Sequence, residues 1–152
     1  MLRDDIKNAL VEAMKNKDAD KVNTLRLVQA AIKQKDIDGR VKGLTDGIDE
    51  AAVLSLLQTM IKQRKESIEM YKKGNREDLV AHEQAEIDVI QLFLPKQMDA
   101  AAVQQAIEAV IAETGASSIK DMGKVMAALK EKYAGQMDFG SASGIIKGLL
   151  AG

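Results

Sequence analysis

Apolar residues recur along this chain at helical spacing almost from end to end. Leu2, Ile6, Leu10 and Met14 repeat every four residues, which puts them on one face of a first helix. "NKDAD" (16–20) interrupts the pattern, and Asp18 or Asp20 can cap the next helix by accepting backbone N–H bonds. Val22, Leu25, Val28 and Ile32 give that second helix its stripe. "DIDGRVKGLTDGID" (36–49) carries three glycines and scattered charge, and predicts a mobile loop. Asp49 then caps a long third helix with Val53, Leu56, Leu57, Met60, Ile61, Ile68 and Tyr71 inward. Gly74 ends it, since glycine tolerates the left-handed backbone of a helix terminus.

Asn75 with Asp78 has the form of a capping box for a fourth helix, lined by Leu79, Ile87, Ile90 and Leu94. Pro95 must stop that helix, because it lacks a backbone donor and disfavours helix in the residue before it. "LPKQMD" (94–99) is therefore the predicted boundary between residues 1–94 and residues 95–152. Asp99 caps a fifth helix carrying Val103, Ile107, Val110 and Ile111, which stops at Gly115. Ser118 and Asp121 cap a sixth, and "FGSASGIIKGLLAG" supplies a seventh through Ile145, Ile146, Leu149 and Leu150. The expected fold is all-α and multi-helical, a larger N-terminal helical domain followed by a small C-terminal helical tail.

Composition agrees with that pattern. The chain has 152 residues, of which 46% are apolar, 30% charged and only 3% aromatic. Its core must therefore be aliphatic, and its richness in Ala, Leu, Lys, Glu and Gln favours helix. A net charge of -1 gives no global field for nucleic acid, so any RNA contact must come from a local patch. The absence of cysteine excludes disulfides, thiolate zinc sites and cysteine nucleophiles. "MLRDDIKNAL" is acidic where a secretory signal would be basic and then apolar. No segment approaches the roughly 20 apolar residues needed to cross a bilayer. A cytoplasmic protein with no membrane association is expected.

The candidate chemistry is sparse. In "HEQAE" (82–86), His82 and Glu86 share a helix face as metal ligands often do, but the second histidine of the zinc-protease motif is missing. A serine–histidine–acid triad needs a histidine placed against an orienting acid, and no motif in the sequence assembles one. No metal, cofactor or catalytic residue is assigned. "KQRKESIEMYKKGNR" (62–76) is the most basic run, yet Lys62/Glu66, Lys65/Glu69 and Glu69/Lys73 have the spacing of self-paired helical charges. The Gly123–Lys124 pair is no phosphate loop, because Val125 stands where that motif needs a hydroxyl and Ile119 where it needs a glycine. Glycine inside a helix costs roughly 0.5–1 kcal/mol against alanine, so Gly123 implies close approach of another backbone. Met122, Val125, Met126, Leu129 and Tyr133 then bury one side against the seventh helix. Lys120, Lys124 and Lys130 point away, near a helix N-terminus that itself attracts anions.

Four segments carry a family resemblance: "KQRKES" (62–67), "GNREDLVAHEQAEIDVIQLFLPKQM" (74–98), "ETGASSIKDMGKVMAALK" (113–130) and "GQMD" (135–138). On these the chain resembles the GatB/YqeY family, whose tail module also ends the B subunit of tRNA-dependent amidotransferases. The resemblance implies two helical parts, the second a module that contacts tRNA while glutamine hydrolysis and carbon–nitrogen ligation occur elsewhere. By that analogy this chain is a non-catalytic tRNA-binding module, with Lys120, Lys124, Lys130 and Lys147 on phosphate. A regulatory helical module that binds a protein partner and no RNA is the alternative. Two positions depart from the family pattern. Phe93 replaces a tyrosine before "LP", and Gln136 stands where a basic residue usually follows the glycine, which removes one phosphate contact.

Overall fold

The computed structural model describes residues 1–151. Among them, seven α-helices and one 3-10 turn account for all the regular structure: α1 (Leu2–Lys15), α2 (Ala19–Val41), α3 (Glu50–Lys73), α4 (Glu77–Gln91), α5 (Ala100–Thr114), a turn at Ile119–Asp121, α6 (Met122–Tyr133) and α7 (Phe139–Ala151). The all-α expectation holds. The chain forms two compact units, Met1–Leu94 and Pro95–Gly152, each with its own aliphatic core.

In the first unit α3 packs along α4, and α2 packs against α1, α3 and α4. Ile6, Leu25, Val28, Val53, Leu57, Ile87 and Ile90 are fully buried at their centre. Aspartates start two of these helices: Asp18 accepts from Lys21 N at 3.2 Å and Asp49 from Ala52 N at 2.8 Å. Each satisfies one of the orphan donors of a helix start. Met14 departs from the predicted α1 stripe. It is half exposed while Ala13 is buried, because four-residue steps drift around a helix of 3.6 residues per turn.

Helix ends share one device. After α1, α2, α3 and α5 a residue takes the left-handed conformation, respectively Lys17, Gly43, Asn75 and Gly115. The residue after each of them donates back five positions: Asp18 to Ala13, Leu44 to Gly39, Arg76 to Tyr71 and Ala116 to Ile111. These are Schellman caps. At the end of α3 the left-handed residue is thus Asn75, while Gly74 has φ −89°. With Asn75 so used, the predicted Asn75–Asp78 box does not form. Arg76 occupies the N-cap of α4 without a side-chain cap bond, and its guanidinium pairs with Asp78.

The predicted loop at 36–49 is helical as far as Val41. Its remainder is clipped in place at Ile48. Arg3 donates to both oxygens of Asp36 at 3.0 and 2.7 Å and to Ile48 O at 2.8 Å, while Ile48 N donates to Asp36 at 2.9 Å. The Arg3 bond, with smaller help from Ile48 N and the Arg3 charge, holds the Asp36 carboxyl below its usual range. A depressed carboxylate stabilises the fold above the ordinary aspartate pKa and stops doing so as pH falls through the lower folded value. The clip therefore persists through the neutral range and weakens only in acid.

The second unit is a three-helix arrangement in which α6 packs against both α5 and α7. Ile107, Val110, Val125, Leu129, Ala142 and Ile146 are fully buried in its core. Leu149, predicted inward, is 41% exposed. Asp99 caps α5 by accepting from Ala102 N at 2.7 Å. Asp121 forms the predicted capping box with Ser118. Its carboxyl is held low first by the N–H of Ser117 and then by that of Ser118, with Lys124 a smaller influence.

Candidate nucleic-acid interface

Lysines and acids are equal in number in Pro95–Gly152, so this unit exerts no net field and any anion site must be local. Lys120 lies in the 3-10 turn, Lys124 in the first turn of α6, Lys130 in its last turn and Lys147 on α7. All four are exposed. None makes an ion pair among the described residues. Lys132 differs: its ammonium is bonded to Glu113 of α5, which raises its pKa.

Lys124 and Lys130 do not share one face of α6. At about 100° per residue, Lys130 lies roughly 120° around α6 from Lys124. Glu131, seven residues after Lys124, returns to that lysine's own side and is exposed. Lys120 and Lys124 are thus the closest to a pair, one helical turn apart beside the capped start of α6. Lys130 occupies another face of α6, and Lys147 lies on α7.

Gly123 contradicts the close-packing expectation. It is exposed, and a Cβ built there would meet nothing within 4 Å. The buried side of α6 is set by Val125 and Leu129, with Met122, Met126 and Tyr133 partly covered. Gly123 falls on the opposite side, where no backbone approaches.

Two arrangements escaped the sequence reading. Gln97 donates to Gly135 O at 2.6 Å and to Pro95 O at 3.1 Å, while Met98 N donates to Gln136 O at 2.9 Å. The "LPKQM" and "GQMD" segments therefore clasp each other, and Gln136 serves through its carbonyl. In the first unit, Arg64 donates from Nε to Glu86 at 2.6 Å and from its terminal nitrogen to Met60 O at 3.1 Å. His82 Nε2 lies 3.0 Å from the other oxygen of Glu86. The basic run at 62–76 thus contributes a half-buried interhelical ion pair, while none of the three predicted self-pairs appears among the ion pairs of the described residues; Glu69 instead lies 3.9 Å from Lys72. Among the described residues no group of three or more His, Asp or Glu side chains gathers as a metal site. No described helix is long and apolar enough to cross a membrane.

The family model described as YqeY-like protein matches residues 3–150, nearly the whole chain. The chain belongs to the YqeY-like family. Among curated relatives it is similar to altered inheritance of mitochondria protein 41, mitochondrial. The protein of that name from Lachancea thermotolerans is 42% identical over 89 residues, covering 59% of this chain and 46% of the relative. That from Eremothecium gossypii is 38% identical over 104 residues, covering 68% and 55%. That from Pyrenophora tritici-repentis is 34% identical over 135 residues, covering 85% and 69%. The chain thus spans about half the length of the first two relatives.

These relatives overturn the cytoplasmic expectation, since YqeY-like proteins this similar are named as mitochondrial. The physical reason is that the expectation rested on a cysteine-free composition with no secretory signal and no long apolar run. That composition suits the interior of an organelle as well as the cytoplasm and does not choose between them.

Proposed function

We propose that residues 95–152 act as a non-catalytic RNA-binding module, with tRNA as the ligand that the family resemblance implies. A role beside glutamine-dependent carbon–nitrogen ligation on tRNA comes from the same resemblance. The observation that supports it is the contrast along α6, where Lys132 is paired with Glu113 while Lys120, Lys124 and Lys130 make no ion pair among the described residues, Lys124 exerting only a weak influence on Asp121. Lys120 and Lys124 carry most of the contact, beside a helix start that favours anions. Lys130 and Lys147 contribute as separate phosphate contacts and do not read bases.

Titration of tRNA by gel shift at several salt concentrations tests the reading. Affinity should fall as salt rises. Lys120→Ala with Lys124→Ala should weaken binding and flatten the slope of log affinity against log salt by about 1.5. No binding at low salt, or binding indifferent to the double variant, sinks the proposal. A protein-interaction role without RNA is the second reading, favoured by the exposed apolar residues Leu27, Ile37 and Val41 on α2.

A further inference from the structure

Helix α2 presents two faces of different character. Its inner face buries Leu25, Val28 and Ile32 against neighbouring helices of its unit, while Gly39 is covered by Leu44. Its outer face carries Leu27, Ala30, Gln34, Ile37 and Val41, all exposed. Their spacing is three, four, three and four residues, the seam of a two-stranded coiled coil. Val41 is 90% exposed, and Leu27 and Ile37 are 47% and 44% exposed. One edge of this seam is lined by Arg26, Lys33 and Arg40, also exposed and spaced seven apart. They form a straight basic row with about 10 Å between successive charges.

The acids of α2 do not neutralise that row. Asp36 is committed to Arg3 and Ile48, with Arg40 only the last of the influences on it. Asp38 accepts from Gln34 at 3.0 Å and belongs to the opposite edge of the seam.

We infer that the outer face of α2 docks an amphipathic helix of a second protein, one that lays apolar residues on the Leu27–Val41 seam and acidic residues along Arg26, Lys33 and Arg40. The seam spacing selects a helix as occupant, and the basic row selects acids on its edge. A second copy of α2 fits worse. Antiparallel, it sets the basic row against itself; parallel, it offers that row Ala31 and Asp38, a single opposite charge. Like charges brought together this way oppose association. A lipid surface is also a poorer occupant, because the face has no aromatic residue and its charges lie along one edge. This docking face belongs to the first unit and is independent of RNA binding by the second.

The test uses the full chain and two labelled synthetic peptides of about three heptads, with leucine in the seam and either glutamate or lysine along one edge. By fluorescence anisotropy the glutamate peptide should bind and the lysine peptide should bind at least about tenfold more weakly. Ile37→Asp with Val41→Asp should cost the glutamate peptide about tenfold or more without changing the melting temperature. Lys33→Glu with Arg40→Glu should reverse the preference between the peptides. Failure of the glutamate peptide to bind, equal binding of both peptides, or indifference to either pair of substitutions overturns the inference. So does dimerisation in sedimentation that Val41→Asp abolishes, or capture by anionic vesicles in place of the peptide.

Discussion

The two units solve the same stability problem with different chemistry. The first joins distant helices through half-buried charges, Arg3 to Asp36 across 33 residues and Arg64 to Glu86 across 22. The second relies on short-range caps and backbone clasps, and its ion pair, Lys132 with Glu113, lies on the surface. Surface pairs contribute little, whereas a half-buried pair that loses one partner leaves a poorly solvated charge behind. The difference teaches where cations remain free for ligands. Arginines that turn inward are consumed by the fold, and those available lie on outward rows or, in the tail, on side chains the fold does not use.

The cores give the strongest way to break the comparison. Leu57→Ala in the first unit and Ile107→Ala in the second each remove a fully buried side chain and should cost about 2–5 kcal/mol. If the units unfold separately, hydrogen exchange should rise only in the unit that carries the substitution. A rise across both would mean that they unfold as one.

Glu86→Ala comes next. It strands the Arg64 guanidinium between α3 and α4 and should lower stability by about 2 kcal/mol in urea unfolding. Glu113→Ala should leave the midpoint unchanged, and so should His82→Ala, whose side chain is mostly exposed. Equal losses at Glu86 and Glu113 would erase the contrast between the units. The smallest change expected to be measurable is a gain. Gly123→Ala should raise stability by about 0.5–1 kcal/mol, because nothing crowds the position and alanine restricts the unfolded chain. A loss in thermal melting would restore the packing role that the structure denies it.

What could be read from the sequence was local. Asp18, Asp49 and Asp99 cap groups three residues away, and the inner stripes of α2 and α3 repeat within a few turns, so both leave a visible pattern. The partner of Arg64 lies on another helix with no spacing rule to announce it, and charges four apart offered a competing explanation. The loop at 36–49 failed for the same reason: its glycines argued for mobility, while the contact that fastens it comes from Arg3. Gly123 failed because propensity registers the cost of a glycine and not whether anything packs there. For the candidate site, residue type, exposure and the angle between Lys124 and Lys130 were legible in the spacing, but the pairing of Lys132 with Glu113 of another helix was not.

The clip at Arg3 also sets an order of events in synthesis. Leu2 N bonds Glu50, and Arg3 reaches Ile48, so the first turn of α1 cannot be secured until the chain as far as Glu50 has left the ribosome. Until then the α1–α2 hairpin is held by its apolar seam and the Arg3–Asp36 pair, and α1 is fully fastened only after helices made later than itself.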